Sequence, residues 1–154
     1  MLLLSALLLG FMITRLRGHE HFWFVAWPGT VVHETLHYGV GRVLGAEPYD
    51  FNVMPSKADA DGYRQLGSVS FTNITWFNAM PTALAPMLAP AVSMFILHHM
   101  DLELSWTSLG LLFLAASVAS GSYPSRQDLA VAFRHPMGVI FWAGVAFFAM
   151  KYWA

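Results

Sequence analysis

Cysteine is missing altogether, and charge is scarce. Without a thiolate the chain forms no disulfide and no cysteine-ligated zinc site, so any metal must be held by His, Asp or Glu. Only 11% of the 154 residues are charged, whereas soluble domains carry about 25%. The net charge of −1 offers no basic footprint for nucleic acid. What is present is apolar: 56% of the residues are hydrophobic, and the mean hydropathy is positive. The length suits a single domain, residues 1–154, and the composition points to an integral membrane protein.

The apolar segments predict about five membrane helices. Met1 to Thr14 is apolar with Arg15 and Arg17 behind it. A signal peptide would carry its charge first and a small-residue cleavage site last, so this order predicts a retained anchor. Fourteen residues rise only ~21 Å as a helix against a ~30 Å hydrocarbon core, which calls for snorkelling or a thinned bilayer. The second span starts at Phe22 or at Pro28 and runs to Gly45, with Phe22, Trp23, Phe24 and Trp27 as an interfacial belt. Gly41 and Gly45 form a small-x-x-x-small pair suited to close packing. The third span, Ile74 to Leu97, carries Pro81, Pro86 and Pro90, whose freed carbonyls need partners from neighbours or water. A fourth runs from Leu104 to Ser120, and a last one from Pro136 to Trp153.

Ala46 to Asn73 is too polar to span. Tyr49–Met54 and Gly67–Thr72 alternate like strands, and the stretch between them, with Asp59, Asp61 and Gly62, is turn-like. A β-hairpin or small sheet after the second helix is expected. Two other polar stretches read as interfacial turns: His19-Glu20-His21, because three consecutive residues project in different directions on a helix, and His98 to Glu103, because the adjacent His98 and His99 do not readily chelate one ion.

The sharpest signal is His33-Glu34-Thr35-Leu36-His37. Residues four apart share a helix face, so His33 and His37 can turn both imidazoles to one ion. Glu34 lies about 100° round from His33 and about 60° from His37, where it reaches a water beside that ion without being a ligand. This is the H-E-x-x-H pattern of zinc hydrolases, with two ligands and a general base. Its apolar setting strengthens it, since a charged residue at the centre of a membrane helix costs about 2.5–3.5 kcal/mol on insertion scales.

A catalytic zinc takes three protein ligands. Counting crossings from the second helix puts the stretch from Pro124 to Asp128 on the same side as the hairpin and as the His37 end of that helix. Asp128 is then the best-placed distant carboxylate, and His135 is the alternative. Glu47 is too close to the helix end to reach back. Ser125 and Asp128 also look like a capping pair at a helix start, which is an ordinary role for the same acid. Asn78 is a candidate for binding a substrate backbone, or else an inter-helix hydrogen bond.

The stretch Trp27-Pro28-Gly29-Thr30-Val31-Val32-His33-Glu34-Thr35-Leu36-His37-Tyr38, followed by Leu44-Gly45-Ala46, resembles the active helix of the site-2 protease-like integral membrane zinc metallopeptidases. The resemblance covers about Trp27 to Asp128. It implies zinc on His33 and His37, Glu34 as base, a hairpin after the active helix, and Asp128 as the last ligand. Where that family reads Asn…Pro-Asp-Gly or Leu-Asp-Gly, this chain reads Tyr123-Pro124-Ser125-Arg126-Gln127-Asp128-Leu129, with no Gly after the acid. Without a PDZ or CBS domain it would be a minimal member. The expectation is a mainly α, polytopic membrane endopeptidase that cleaves membrane proteins or peptides within the lipid bilayer of a bacterial or archaeal cell (inner) membrane. A membrane metallohydrolase acting on a non-peptide substrate and a non-enzymatic metal-binding protein or pseudoprotease are the rivals. Lys57, Arg64, Arg126 and Arg134 outnumber Arg15 and Arg17, which favours the hairpin side as cytoplasmic.

Overall fold

A computed structural model of the protein describes residues 2–15, 22–57, 65–100 and 105–153. The expected polar turn at His19–His21, the turn at Asp59–Gly62, the cations Arg17 and Arg64, and the acidic end of the loop after His98 lie outside those residues. The described chain is mostly helical, with one small antiparallel sheet. In order it forms α1 (Leu2–Arg15), α2 (Phe22–Val43), β1 (Pro48–Asn52), β2 (Ser68–Phe71), α3 (Ala79–Leu84), a 3₁₀ turn (Ala85–Leu88), α4 (Ala89–His98), α5 (Trp106–Ser120), α6 (Arg126–Ala132) and α7 (Pro136–Trp153).

The packing follows side-chain size. The C-terminal half of α5, Ala115 to Ser120, is entirely buried and contains nothing larger than Val118. Around it pack α1, α2 and α4. Small side chains let backbones approach closely, and two glycines carry this furthest. A Cβ on Gly29 of α2 would overlap the Ser117 carbonyl of α5, and one on Gly121 would meet the Gly29 carbonyl. Ser117 Oγ sits in the same contact, accepting from the Gly29 N–H at 3.1 Å and donating to the Val25 carbonyl at 2.8 Å. Replacement of Gly29 by Ala is therefore expected to cost about 1–3 kcal/mol, because the overlapping atoms are backbone and cannot swing aside. Thermal unfolding in detergent measures it.

The large apolar side chains point the other way. Phe24, Val43, Phe95, Trp106, Met137, Ile140, Phe148 and Met150 are all exposed, while the buried apolar residues are mostly alanines. Among the described residues one helical stretch, Ala79–His98, is long and apolar enough to cross a membrane, and α6 with α7 makes a second only if the pair, bent by 89°, is taken as one span. The apolar helices α1 and α5 have 14 and 15 residues, which rise about 21–23 Å and fall short of a ~30 Å core. The 22-residue α2 is long enough, but its middle is polar.

Several boundaries differ from the expected ones. Helix α2 starts at Phe22 and runs through Pro28, so the proline neither opens nor ends it. Gly41 does serve close packing, against the Phe71 ring and Thr82. Gly45 does not: it has φ +72° with open space around it, and it stops the helix. The third expected span is broken into α3, the 3₁₀ turn and α4, since Pro86 and Pro90 each remove a backbone donor.

The two strands pair antiparallel, Asp50 opposite Ser70 and Asn52 opposite Ser68. They lie along α2. Trp27 Nε1–H donates to the Val53 carbonyl at 3.0 Å, Tyr38 meets Phe51 edge to face, and Phe71 covers Gly41. The sheet thereby forms one wall over the polar face of α2.

Candidate metal centre

Helix spacing puts His33 and His37 one turn apart on α2. Each ring donates from Nδ1 to a backbone carbonyl, His33 to Gly121 at 2.7 Å and His37 to Thr82 at 2.8 Å. A carbonyl oxygen only accepts, so each Nδ1 carries a proton, and in the neutral ring each Nε2 presents a lone pair. The two Nε2 atoms are 3.1 Å apart.

Asp128 completes the group from α6. Its Oδ1 lies 3.3 Å from His37 Nε2 and its Oδ2 3.6 Å from His33 Nε2. The carboxylate also closes a capping box: Oδ2 accepts from the Ser125 N–H at 2.6 Å, and Ser125 Oγ accepts from the Asp128 N–H at 3.1 Å. The capping role weighed for this acid from sequence is thus filled, and the same carboxylate also faces both imidazoles. Burial pushes its carboxyl up, but the contacts with the His33 and His37 rings and the Ser125 N–H outweigh that and hold it well below the usual carboxylate range. It is an anion at any ordinary pH.

Three acceptors converge here, within 4.8 Å of one another, with half-buried His33 and Asp128 beside buried His37. Two facing lone pairs and a carboxylate repel unless a cation sits among them. The spacings suit a tetrahedral divalent ion, because ligand atoms about 2.0–2.2 Å from such an ion are about 3.3–3.6 Å apart. His33, His37 and Asp128 are the residues that could hold it, and His135, at the start of α7, is outside the group.

Glu34 is buried on the same helix, and Gly67 rests against it. A Cβ on Gly67 would come within 2.7 Å of Glu34 Cγ. Among the described residues no hydrogen bond or ion pair ties up its carboxylate. Glu34 and the three converging residues all line one cavity of about 1010 Å³. Consecutive residues Gln65 to Phe71 form one wall of it, and Tyr123 to Asp128 form another. A run of consecutive residues borders a cavity when a strand presents its edge, and among the described residues β2 pairs with β1 on one side only.

Asn78 is not at the cavity. It is 2% exposed, its Oδ1 accepts from the Thr75 N–H at 2.7 Å, and its Nδ2 donates to Asn73 at 2.9 Å and Leu44 at 3.4 Å. Its amide is engaged by these backbone partners and ties the start of α3 to the end of α2, the inter-helix role weighed for it from sequence. Glu47 is likewise engaged elsewhere, accepting from Thr72 Oγ1 at 3.0 Å.

The sequence reading missed the acceptors that orient both imidazoles. Gly121 ends α5, where carbonyls lack helical partners, and the residue four further on, Ser125, gives its N–H to Asp128. Thr82 precedes Pro86 by four, and a proline has no N–H to give. That second signal was visible in the spacing of the proline-rich run. Compared with protein-family models, curated proteins and solved structures, the chain matches none.

Proposed function

We propose that this chain is a multi-pass integral membrane zinc endopeptidase, similar to the site-2 protease-like metallopeptidases, that hydrolyses peptide bonds of membrane proteins. The observation that carries the reading is the convergence of two imidazoles and a carboxylate on one point, with a glutamate beside them on the same helix that, among the described residues, no hydrogen bond ties up. Mere metal storage has no use for Glu34. The membrane setting is supported by the packing: small residues inside and large apolar residues outside reverse the water-soluble arrangement and suit lipid. In this reading the short helices α1 and α5 sit in a thinned bilayer, and the orphan polar face of α2 looks inward.

When bound, zinc supplies Lewis acidity at a carbonyl and makes water acidic enough to attack near neutral pH. The protein's own residues do the rest. His33 and His37 are locked in the ligating tautomer by the Gly121 and Thr82 carbonyls. Asp128 is held ionised by the His33 and His37 rings and in place by its capping box. Glu34 takes a proton from the attacking water and delivers it to the leaving amine. The free edge of β2 offers backbone groups to an extended segment, so an unwound stretch of substrate lies across the cavity as an added strand.

The test is purified protein in detergent, assayed for bound metal and for cleavage of a single-span model substrate. Roughly one zinc per chain is expected. Cleavage should stop with a chelator and return with added zinc. Zinc without cleavage of any peptide substrate would overturn the peptidase reading in favour of a non-peptide hydrolase or a metal-binding protein. Absence of zinc after reconstitution would overturn the metal centre itself.

A further inference from the structure

The Thr82 carbonyl partners His37 Nδ1, and what keeps it available lies four residues on. In a regular α-helix the carbonyl of residue 82 would accept from the N–H of residue 86. Residue 86 is Pro86, which has none. The chain accordingly tightens into a 3₁₀ turn over Ala85–Leu88, and Ala85 N–H takes one lone pair of the Thr82 carbonyl. The other lone pair faces α2 and receives His37 Nδ1–H at 2.8 Å. Thr82 is 1% exposed and Pro86 is fully buried, so no water competes for that acceptor.

We propose that Pro86 is a positioning residue for the metal centre. By withholding an N–H it reserves the Thr82 carbonyl for His37, and so fixes the tautomer that turns the Nε2 lone pair toward His33 and Asp128. The side chain of Thr82 has no share in this. Its Oγ1 is buried and has no hydrogen-bond partner among the described residues, and its methyl faces Gly41. The backbone oxygen is the working atom. The inference rests on the metal-centre reading above, but it concerns a hydrogen bond that exists in the metal-free protein.

The experiment replaces Pro86 by Ala in the full chain, purified in detergent. Alanine restores an N–H aimed at the Thr82 carbonyl and favours helix, so the variant is expected to fold. Two quantities are read. One is the His37 tautomer in chelator-treated protein, from imidazole ¹⁵N shifts assigned by difference with H37Q. The other is the affinity for added zinc ion. Wild type should show a single Nδ1–H tautomer. Pro86→Ala should show a mixture and a zinc affinity weaker by about 10–100-fold, the usual cost of losing an outer hydrogen-bond partner of a ligand. Thr82→Val, which keeps the carbonyl and the shape but removes the hydroxyl, should match wild type in both. An unchanged tautomer and affinity in Pro86→Ala would overturn the proposal, as would a tautomer change in Thr82→Val. If the tautomer shifts as expected but wild type takes up no zinc, the role of Pro86 stands and the hydrolase reading fails.

Discussion

Glu34→Gln should abolish cleavage while leaving the metal in place. Glutamine matches glutamate in volume, so it fits the space between α2 and Gly67. It cannot accept a proton at neutral pH. Removing a positioned general base costs about 10²–10⁴-fold in rate. Glu34 is not among the converging ligands, so zinc content should match wild type. Both halves of the result matter. A rate loss with full zinc assigns Glu34 to proton transfer, whereas a rate loss with lost zinc would mean that the substitution disturbed His33 or His37. Cleavage at the wild-type rate would remove the hydrolytic reading of the motif.

The second large effect is expected at Asp128, where two roles have to be separated. Asp128→Ala removes a candidate ligand and half of a capping box together. Loss of a helix cap alone costs about 1 kcal/mol, and that could loosen α6 enough to confuse the result. Asp128→Asn separates them. An asparagine oxygen still accepts from the Ser125 N–H, so α6 keeps its cap and thermal stability in the metal-free state should barely move. The carboxylate whose Oδ2 faces His33 at 3.6 Å and whose Oδ1 faces His37 at 3.3 Å becomes a neutral amide. Zinc affinity should then fall by more than the about 10–100-fold typical of an outer partner, and cleavage should fall with it. His135→Ala, by contrast, should retain zinc. Equal zinc affinity in Asp128→Asn and wild type would leave Asp128 a capping residue only.

These two results bear on different kinds of information in the chain. The relation of His33, Glu34 and His37 is local. Three residues within five share a helical repeat of 3.6, and the helix needs nothing distant to set their angles. The same holds for the alternation that marks β1 and β2 and for Ser125 with Asp128 as a capping pair. These the sequence determined by itself. Helix α2, the two strands and the cap at Ser125 all form where their local signals lie.

Tertiary packing decided the rest. Asp128 and His135 both lie beyond the fourth apolar segment, and a count of crossings cannot choose between them. The choice comes from how α6 docks, which carries Asp128 to α2 and leaves His135 at the start of α7. Asn78 reads equally well as a substrate ligand or a structural amide, until three backbone partners arrive from the Leu44, Asn73 and Thr75 positions. Gly41 and Gly45 look alike as a spaced pair, yet one meets Phe71 and the other ends a helix at positive φ. The acceptors of the two histidines come from 45 and 88 residues away. The physical reason is common to all of these. A helical repeat dictates which side chains share a face, but a hydrogen bond or an ion site needs a second surface. Which surface arrives is decided by the size of the side chains between the elements, here by the small residues of α5 that let α2 come close enough for the Gly121 carbonyl to reach His33.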